Sequence, residues 1–342
     1  MATPPFRIIA GPTASGKSAV AVAVAERIGA EIIGADAFQI YRGFDRLSAK
    51  PEPELLERIP HHLIGELPPS EPFHVARFRE LVVERIEAVR SRGKIPLIVG
   101  GSGLYLRAVM RPLAELPPAD AALRDELDRE ETPALLARLG RLDPGALAWI
   151  DRANRRRLIR AIEVCILTGK PFSATRTDRA DDPAGPCGVV LVRDRGDLRD
   201  RIRARTERLF ADGVLDEVRS GAADLGQTAA QMLGLREIEA VLRGERSETE
   251  AVEAIGVATR QYAKRQMTWF RREPDLVPFA VPIGAAPEAL AAPIAKILGE
   301  MGRPVVGPLR RALALDNAKG IRSGHRSLAE RDWRSRGCDS AG

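Results

Sequence analysis

Gly11-Pro12-Thr13-Ala14-Ser15-Gly16-Lys17-Ser18 fits the pattern G-x-x-x-x-G-K-[ST]. The glycines let the backbone curl so that consecutive amides point inward, and a following helix adds the positive end of its dipole. Lys17 is placed to reach a terminal phosphate, and the Ser18 hydroxyl is a magnesium ligand in such loops. This builds an oligophosphate site. The loop recognises a diphosphate group and is indifferent to what hangs from it. A second chemical residue is Asp36, in Gly34-Ala35-Asp36-Ala37-Phe38-Gln39-Ile40-Tyr41-Arg42. Its carboxylate could take a proton from an incoming nucleophile or join a magnesium shell, or it could simply cap the next segment. Gln39 could pair with an adenine edge as donor and acceptor. The third is Ser102, in Gly100-Gly101-Ser102-Gly103-Leu104-Tyr105-Leu106. Its glycines would permit close approach by a ligand, or a tight turn packing the next helix.

All three segments follow β-like runs, at residues 6–10, 31–35 and 95–99. In wound sheets ligands sit outside the carboxyl ends of the strands, so the three share one rim. Residues 17–28 and 73–92 read as helices. The alternation predicts an α/β fold, a P-loop NTPase-like parallel sheet wound with helices. Prolines break the pattern at 112–118, and helical patterns at 123–129, 133–139 and 153–167 follow. A further strand at 188–192 precedes helical patterns at 197–210, 211–222, 233–243 and 248–271. The expected organisation is a catalytic core at 1–114 and 186–282 and a helical insertion at 115–185. Residues 283–342 read as a tail, its last 40 residues basic and disordered.

Composition narrows the class. The 342 residues are 44% hydrophobic and 29% charged, within the globular range. Apolar runs fall short of the roughly 20 residues of a membrane helix, and the first residues lack a signal-peptide pattern, so a cytoplasmic protein without membrane contact is expected. Cys165, Cys187 and Cys338 are too few and too scattered for a disulfide framework, and four histidines make a catalytic zinc site a poor reading. His61 and His62 lie between Pro60 and Leu63-Ile64, as in a packed connection. The net charge of +6 is concentrated at residues 303–342, with nine basic and four acidic residues. Only seven lysines stand beside 46 arginines, which looks like compositional bias. Any nucleic-acid surface must therefore rest on local clusters.

The ordered segments 11–18, 35–42, Ala49-Lys50-Pro51, Pro60-His61-His62-Leu63-Ile64, 99–106, Arg160-Ala161-Ile162-Glu163-Val164, Thr168-Gly169-Lys170-Pro171 and Lys264-Arg265-Gln266-Met267-Thr268-Trp269-Phe270-Arg271 resemble the motifs of bacterial tRNA dimethylallyltransferases. The resemblance covers about residues 7–272. It implies transfer of a dimethylallyl group from dimethylallyl diphosphate to the exocyclic amine of adenosine 37, in tRNAs reading codons that start with U. By similarity Asp36 would be the base and Ser102, where most relatives carry threonine, would hydrogen-bond the adenine. Lys17 and Mg2+ on Ser18 would neutralise the diphosphate, with Arg205 holding it from the opposite side. Arg201 is the competing partner.

The resemblance also implies an RNA surface, with the target base flipped out of the anticodon stem-loop. Asp36, Ala37, Phe38, Gln39 and Ser102 would meet the flipped base. Arg124, Arg156, Arg157 and Arg160 would contact tRNA from the insertion, the last three raking phosphates from one helix. Arg236, Lys264, Arg265 and Arg271 would do so from the core, where Trp269 adds an aromatic face. A monomer is expected. Departures from the family pattern are Gly34 and Ala37, where small hydroxylated residues are common, and Leu47-Ser48-Ala49-Lys50 in place of Gly-Thr-Ala-Lys. The rival readings are a P-loop small-molecule kinase, which needs an arginine-bearing lid and no RNA surface, and an RNA-binding protein using nucleotide as a switch.

Overall fold

A computed structural model describes residues 6–111, 116–175 and 187–301. In chain order the elements are β1 (Arg7–Ala10), α1 (Lys17–Ile28), β2 (Ala30–Ala35), α2 (Pro53–Arg58), β3 (His61–His62), α3 (Val75–Ser91), β4 (Ile95–Gly100) and α4 (Gly103–Met110). Three helices follow, α5 (Ala121–Asp128), α6 (Thr132–Leu142) and α7 (Arg155–Thr168). The chain then adds β5 (Gly188–Val192), α8 (Arg195–Ala211), α9 (Val214–Gly221), α10 (Leu235–Leu242), α11 (Glu248–Phe270), β6 (Leu276–Ala280) and α12 (Pro287–Glu300). The described residues fall into two compact units, one within Met1–Arg111 and Ala184–Gly342, the other within Pro112–Pro183. No helix among them is long and apolar enough to cross a membrane.

The first unit is α/β. Its six strands pair in parallel in the order β3-β2-β4-β1-β5-β6. A sheet covered on both faces demands strands apolar on both faces, which is why Ile32, Ile33, Leu97, Ile98, Val189, Val190 and Leu191 form unbroken runs. Two short edges depart from expectation. His61 and His62, read as a connection, form the parallel edge strand β3, with His62 Nε2 2.8 Å from Glu31 Oε2. At the other edge, β6 contains Pro278. A proline lacks a ladder donor, so it belongs at an edge, and there it does not end the strand.

The expectation of a tail from residue 283 is corrected over 283–301. Leu290, Ala291, Ile294, Ile297 and Leu298 give α12 a buried face that packs on α1. The sequence Val20-Ala21-Val22-Ala23-Val24-Ala25 leaves α1 without a polar face at its centre, and a helix apolar all round must be covered on both sides. Arg7 closes the arrangement by donating to the Leu298 carbonyl at 2.8 Å and the Met301 carbonyl at 2.7 Å. The basic stretch 303–342 lies outside the described residues.

In the second unit α5, α6 and α7 enclose Leu127, Leu135, Leu139, Ile150, Leu158 and Ile162. Beside this core Glu163 is fully buried, and it accepts from the Asp120 amide and from the guanidinium groups of Arg124 and Arg160.

Candidate active site

Parallel register brings the chemistry of the first unit to one level. Gly100 of β4 stands beside Ala10 of β1 on one side and Ala35 of β2 on the other. The next residues, Gly11, Asp36 and Gly101, therefore leave the sheet together, and the Gly11 amide donates to the Gly100 carbonyl at 3.3 Å.

The loop from Gly11 to Ser18 holds its shape through two left-handed residues, Ala14 (φ 61°) and Gly16 (φ 82°). Arginines secure it from outside. Arg201 Nε donates to the Ala14 carbonyl at 2.9 Å, Arg193 Nε to the Ser15 carbonyl at 2.7 Å, and Arg205 donates to Thr13 Oγ1 at 2.8 Å. Arg201 and Arg205 are one turn apart on α8 and so share a face. Not every amide of the loop is directed inward, contrary to expectation. The Thr13 amide donates to Gln266 Oε1 at 2.8 Å and the Ser15 amide to the Pro12 carbonyl at 3.2 Å. What remains is the start of α1, where Gly16, Lys17 and Ser18 carry the donors a helix leaves without intrahelical partners.

Charge is concentrated at this rim. Lys17 is densely surrounded by protein, and burial draws its ammonium down to about 8, with Asp36 opposing and Arg205 adding to the shift. Burial also loosens the hold of Arg205 on its proton, and Asp36 counters. Tyr105 and Tyr262 are both pushed up, chiefly by burial, with the Asp36 carboxylate contributing. Asp36 thus has Lys17, Arg205 and two phenols around it. Its Oδ1 also accepts from the Phe38 amide at 2.9 Å, so the capping role foreseen for it is present as well. Between the two candidate arginines, Arg205 is the one coupled to both Lys17 and Asp36, whereas Arg201 is exposed.

Several side chains are placed differently from expectation. Gln39 Nε2 donates to the Ala49 carbonyl at 2.7 Å, which ties this side chain to the loop before α2. The glycines after β4 make room for protein rather than for a ligand. A Cβ on Gly101 would stand 2.5 Å from Gln266 Nε2, and one on Gly103 2.3 Å from the Trp269 ring. Trp269 is half-buried and packs there, with the Arg107 guanidinium 6.0 Å from its centroid. Ser102 precedes α4, and its side chain caps no backbone amide. A shallow recess opens beside the loop, lined by Lys17, Ser18, Gln39, His61 and Ile64 among others.

The expected RNA contacts divide into two groups. Ala37 and Phe38 are half-exposed next to Asp36, and Arg236, Lys264 and Arg265 are exposed on α10 and α11, with Arg265 5.8 Å from the Tyr262 ring centroid. Arg271 follows α11 and is half-buried. In the second unit Arg156 and Arg157 are exposed on α7. Arg124 and Arg160 instead bind Glu163, and Arg160 also donates to the Pro117 carbonyl at 2.7 Å. Their guanidinium groups hold the unit together, which charge and spacing on α7 alone do not reveal.

Sequence reasoning missed Arg193, Tyr105, Tyr262 and Gln266. A signal was present for Arg193, which follows the β5 run directly, whereas Gln266 lies inside a segment read for its charges and its tryptophan. Among the described residues no group of three or more His, Cys, Asp or Glu could hold a metal. A cation here would depend on Ser18 and on oxygens of the ligand.

Residues 39–273 match the family model described as IPP transferase. The chain is 41% identical over 291 residues to the tRNA dimethylallyltransferase of Akkermansia muciniphila, covering 85% of this chain and 98% of that one. Among solved structures it resembles the full-length tRNA isopentenylpyrophosphate transferase of Bacillus halodurans, at 34% identity and TM-score 0.61, over 87% of this chain and 98% of that one. A eukaryotic dimethylallyltransferase acting on tRNA is similar in fold, with TM-score 0.68 at 22% identity, over 97% of this chain and 84% of that one. With a rim of this make-up and a match spanning more than half its length, the chain belongs to the IPP transferase family.

Proposed function

We propose that this protein transfers a dimethylallyl group from dimethylallyl diphosphate to the exocyclic amine of adenosine 37 in the anticodon stem-loop of tRNAs reading codons that start with U. The observation that carries the reading is the register of three strand ends, which sets the Lys17 loop, Asp36 and Ser102 side by side with Arg205 facing them. The P-loop NTPase-like character of the core belongs to the same reading, supported by the loop between β1 and α1 in a parallel sheet.

An exocyclic adenine amine is a poor nucleophile, and the diphosphate leaves as a polyanion. Cationic groups must meet the charge that develops on the leaving oxygens. Lys17 and Arg205 supply them, and the first-turn amides of α1 add their donors. As the carbon–oxygen bond to the diphosphate breaks and the carbon–nitrogen bond forms, Asp36 accepts the amine proton. Ser102 holds the adenine through its hydroxyl. Mg2+ would be held by Ser18 and supply charge neutralisation on the diphosphate, and a single protein oxygen suits an ion that keeps most of its waters and phosphate ligands. The exposed Arg156, Arg157, Arg236, Lys264 and Arg265 supply the phosphate-facing charge for tRNA. The protein acts as a monomer in the cytoplasm.

The test is single-turnover transfer from labelled dimethylallyl diphosphate to an anticodon stem-loop bearing adenosine at position 37, against the guanosine version and labelled ATP. Label on the adenosine loop alone supports the reading. ATP consumed with a small acceptor, and no label on RNA, would return the kinase alternative, which the relatives do not favour. An Asp36→Ala variant that kept full transfer would remove the proton acceptor from the scheme.

A further inference from the structure

Gln266 lies on α11 with only 7% of its surface exposed, yet both ends of its amide are used by other segments. Its Oε1 accepts from the Thr13 amide at 2.8 Å and its Nε2 donates to the Gly101 carbonyl at 2.9 Å. One side chain thus ties the phosphate loop after β1 to the turn after β4 that carries Ser102. The fit leaves no slack, since a Cβ on Gly101 would stand 2.5 Å from Nε2 and 2.9 Å from the Gly11 carbonyl. Thr13 is gripped a second time through its hydroxyl by Arg205. One turn back on α11, Tyr262 lies near both Gln266 and Asp36. The titratable groups around the tie are Tyr262 of α11, Tyr105 of α4, Arg205 of α8, Lys17 of α1 and Asp36 after β2.

We propose that Gln266 is a positioning residue that sets the distance between the diphosphate-binding loop and the acceptor rim at Ser102. The inference rests on the functional reading above. A primary amide is the right group for this task because it offers an acceptor and a donor pointing apart, which an ionised carboxylate or an ammonium does not. A displacement of about 1 Å between reacting groups costs on the order of 100-fold in rate, so a tie at this point governs turnover more than donor affinity.

The full chain with Gln266→Glu tests this. When protonated, the new carboxyl can still donate to Gly101 and accept from Thr13. When ionised, it repels the Gly101 carbonyl. The ratio of variant to wild-type kcat should fall about 100-fold at high pH and recover as pH drops through the new titration, while the dissociation constant for dimethylallyl diphosphate changes less than about threefold. Gln266→Ala should lose kcat at every pH without that recovery. A second readout needs no turnover: amide hydrogen exchange of Thr13 and of residues 101–105 should rise together in Gln266→Ala and in Gly101→Ala. A pH-independent ratio, a loss confined to donor affinity, or exchange that rises at one segment alone would overturn the proposal. An inactive wild type with coupled exchange would sink the functional reading and leave the tie standing. Transfer by the wild type with uncoupled exchange would do the reverse.

Discussion

Two arginine clusters, one in each unit, use the same side chain to opposite ends. In the second unit Arg124 and Arg160 converge on the buried carboxylate of Glu163, so two positive charges share one negative charge within the fold. At the phosphate loop Arg201 and Arg205 bind only neutral oxygens, the Ala14 carbonyl and the Thr13 hydroxyl, and neither makes a salt bridge among the described residues. The first arrangement consumes charge to hold helices together, and the second keeps it for an anion. An arginine count does not separate the two cases. The nature of the oxygen on the other side of the hydrogen bond does.

The contrast can be broken most directly at Arg205. Arg205→Ala should lower kcat/KM for transfer by about 10²–10³-fold, the usual loss when one donor to a developing oxyanion is removed. Arg201→Ala should cost no more than about a tenth of that loss, because the side chain is exposed. The reverse order would pass the diphosphate to Arg201. In the other cluster Glu163→Ala should destabilise the second unit by about 1.5–3 kcal/mol, the range for charged hydrogen bonds, read as a lower urea midpoint with donor affinity unchanged. A matching fall in donor affinity would erase the distinction between the clusters.

A smaller effect sharpens the picture through pH. The Lys17 ammonium lies at about 8, against its ordinary 10.5, because the surrounding protein strips water from it. Between those values the unfolded chain binds more protons than the ligand-free fold, so stability contributed at this site rises with pH across the window. A bound diphosphate requires the charged form, so donor affinity should weaken above pH 8 by up to about tenfold per unit. Lys17→Arg stays charged and should lose that dependence; a wild-type affinity flat from pH 7 to 10 would contradict the assignment. The smallest change is at the edge of the fold. Arg7→Ala removes the donors to the last carbonyls of α12 and should cost about 1 kcal/mol, seen as faster amide exchange over residues 294–301.

How much of this is written in the sequence depends on the length scale of the signal. The loop from Gly11 to Ser18, Asp36 and the glycines after β4 announce themselves because each follows an apolar run that reads as a parallel strand within a few residues. Sheet order is absent from such runs, yet the placement of β4 between β2 and β1 is what aligns Ala35, Gly100 and Ala10. Pro278 and the alanines beyond it mimic a linker because proline is read as a breaker, while a strand at the sheet edge and the first turn of a helix both tolerate it. Gln266 and Glu163 were out of reach for another reason. Their partners lie 253 and 165 positions away for Gln266, and 39 positions away for the Arg124 bond to Glu163, so periodicity carries no trace of them.

The covering of α1 by α12 has a consequence for how the protein is made. The helix that carries Lys17 and Ser18 leaves the ribosome well before the helix that completes its burial, which is the last described one. At about 5–20 residues per second, the Val-Ala face of α1 waits on the order of tens of seconds for its cover. During that interval the nascent chain shows a hydrophobic helix whose proper partner has not been synthesised. Chaperone occupancy should therefore fall only after residue 301 emerges.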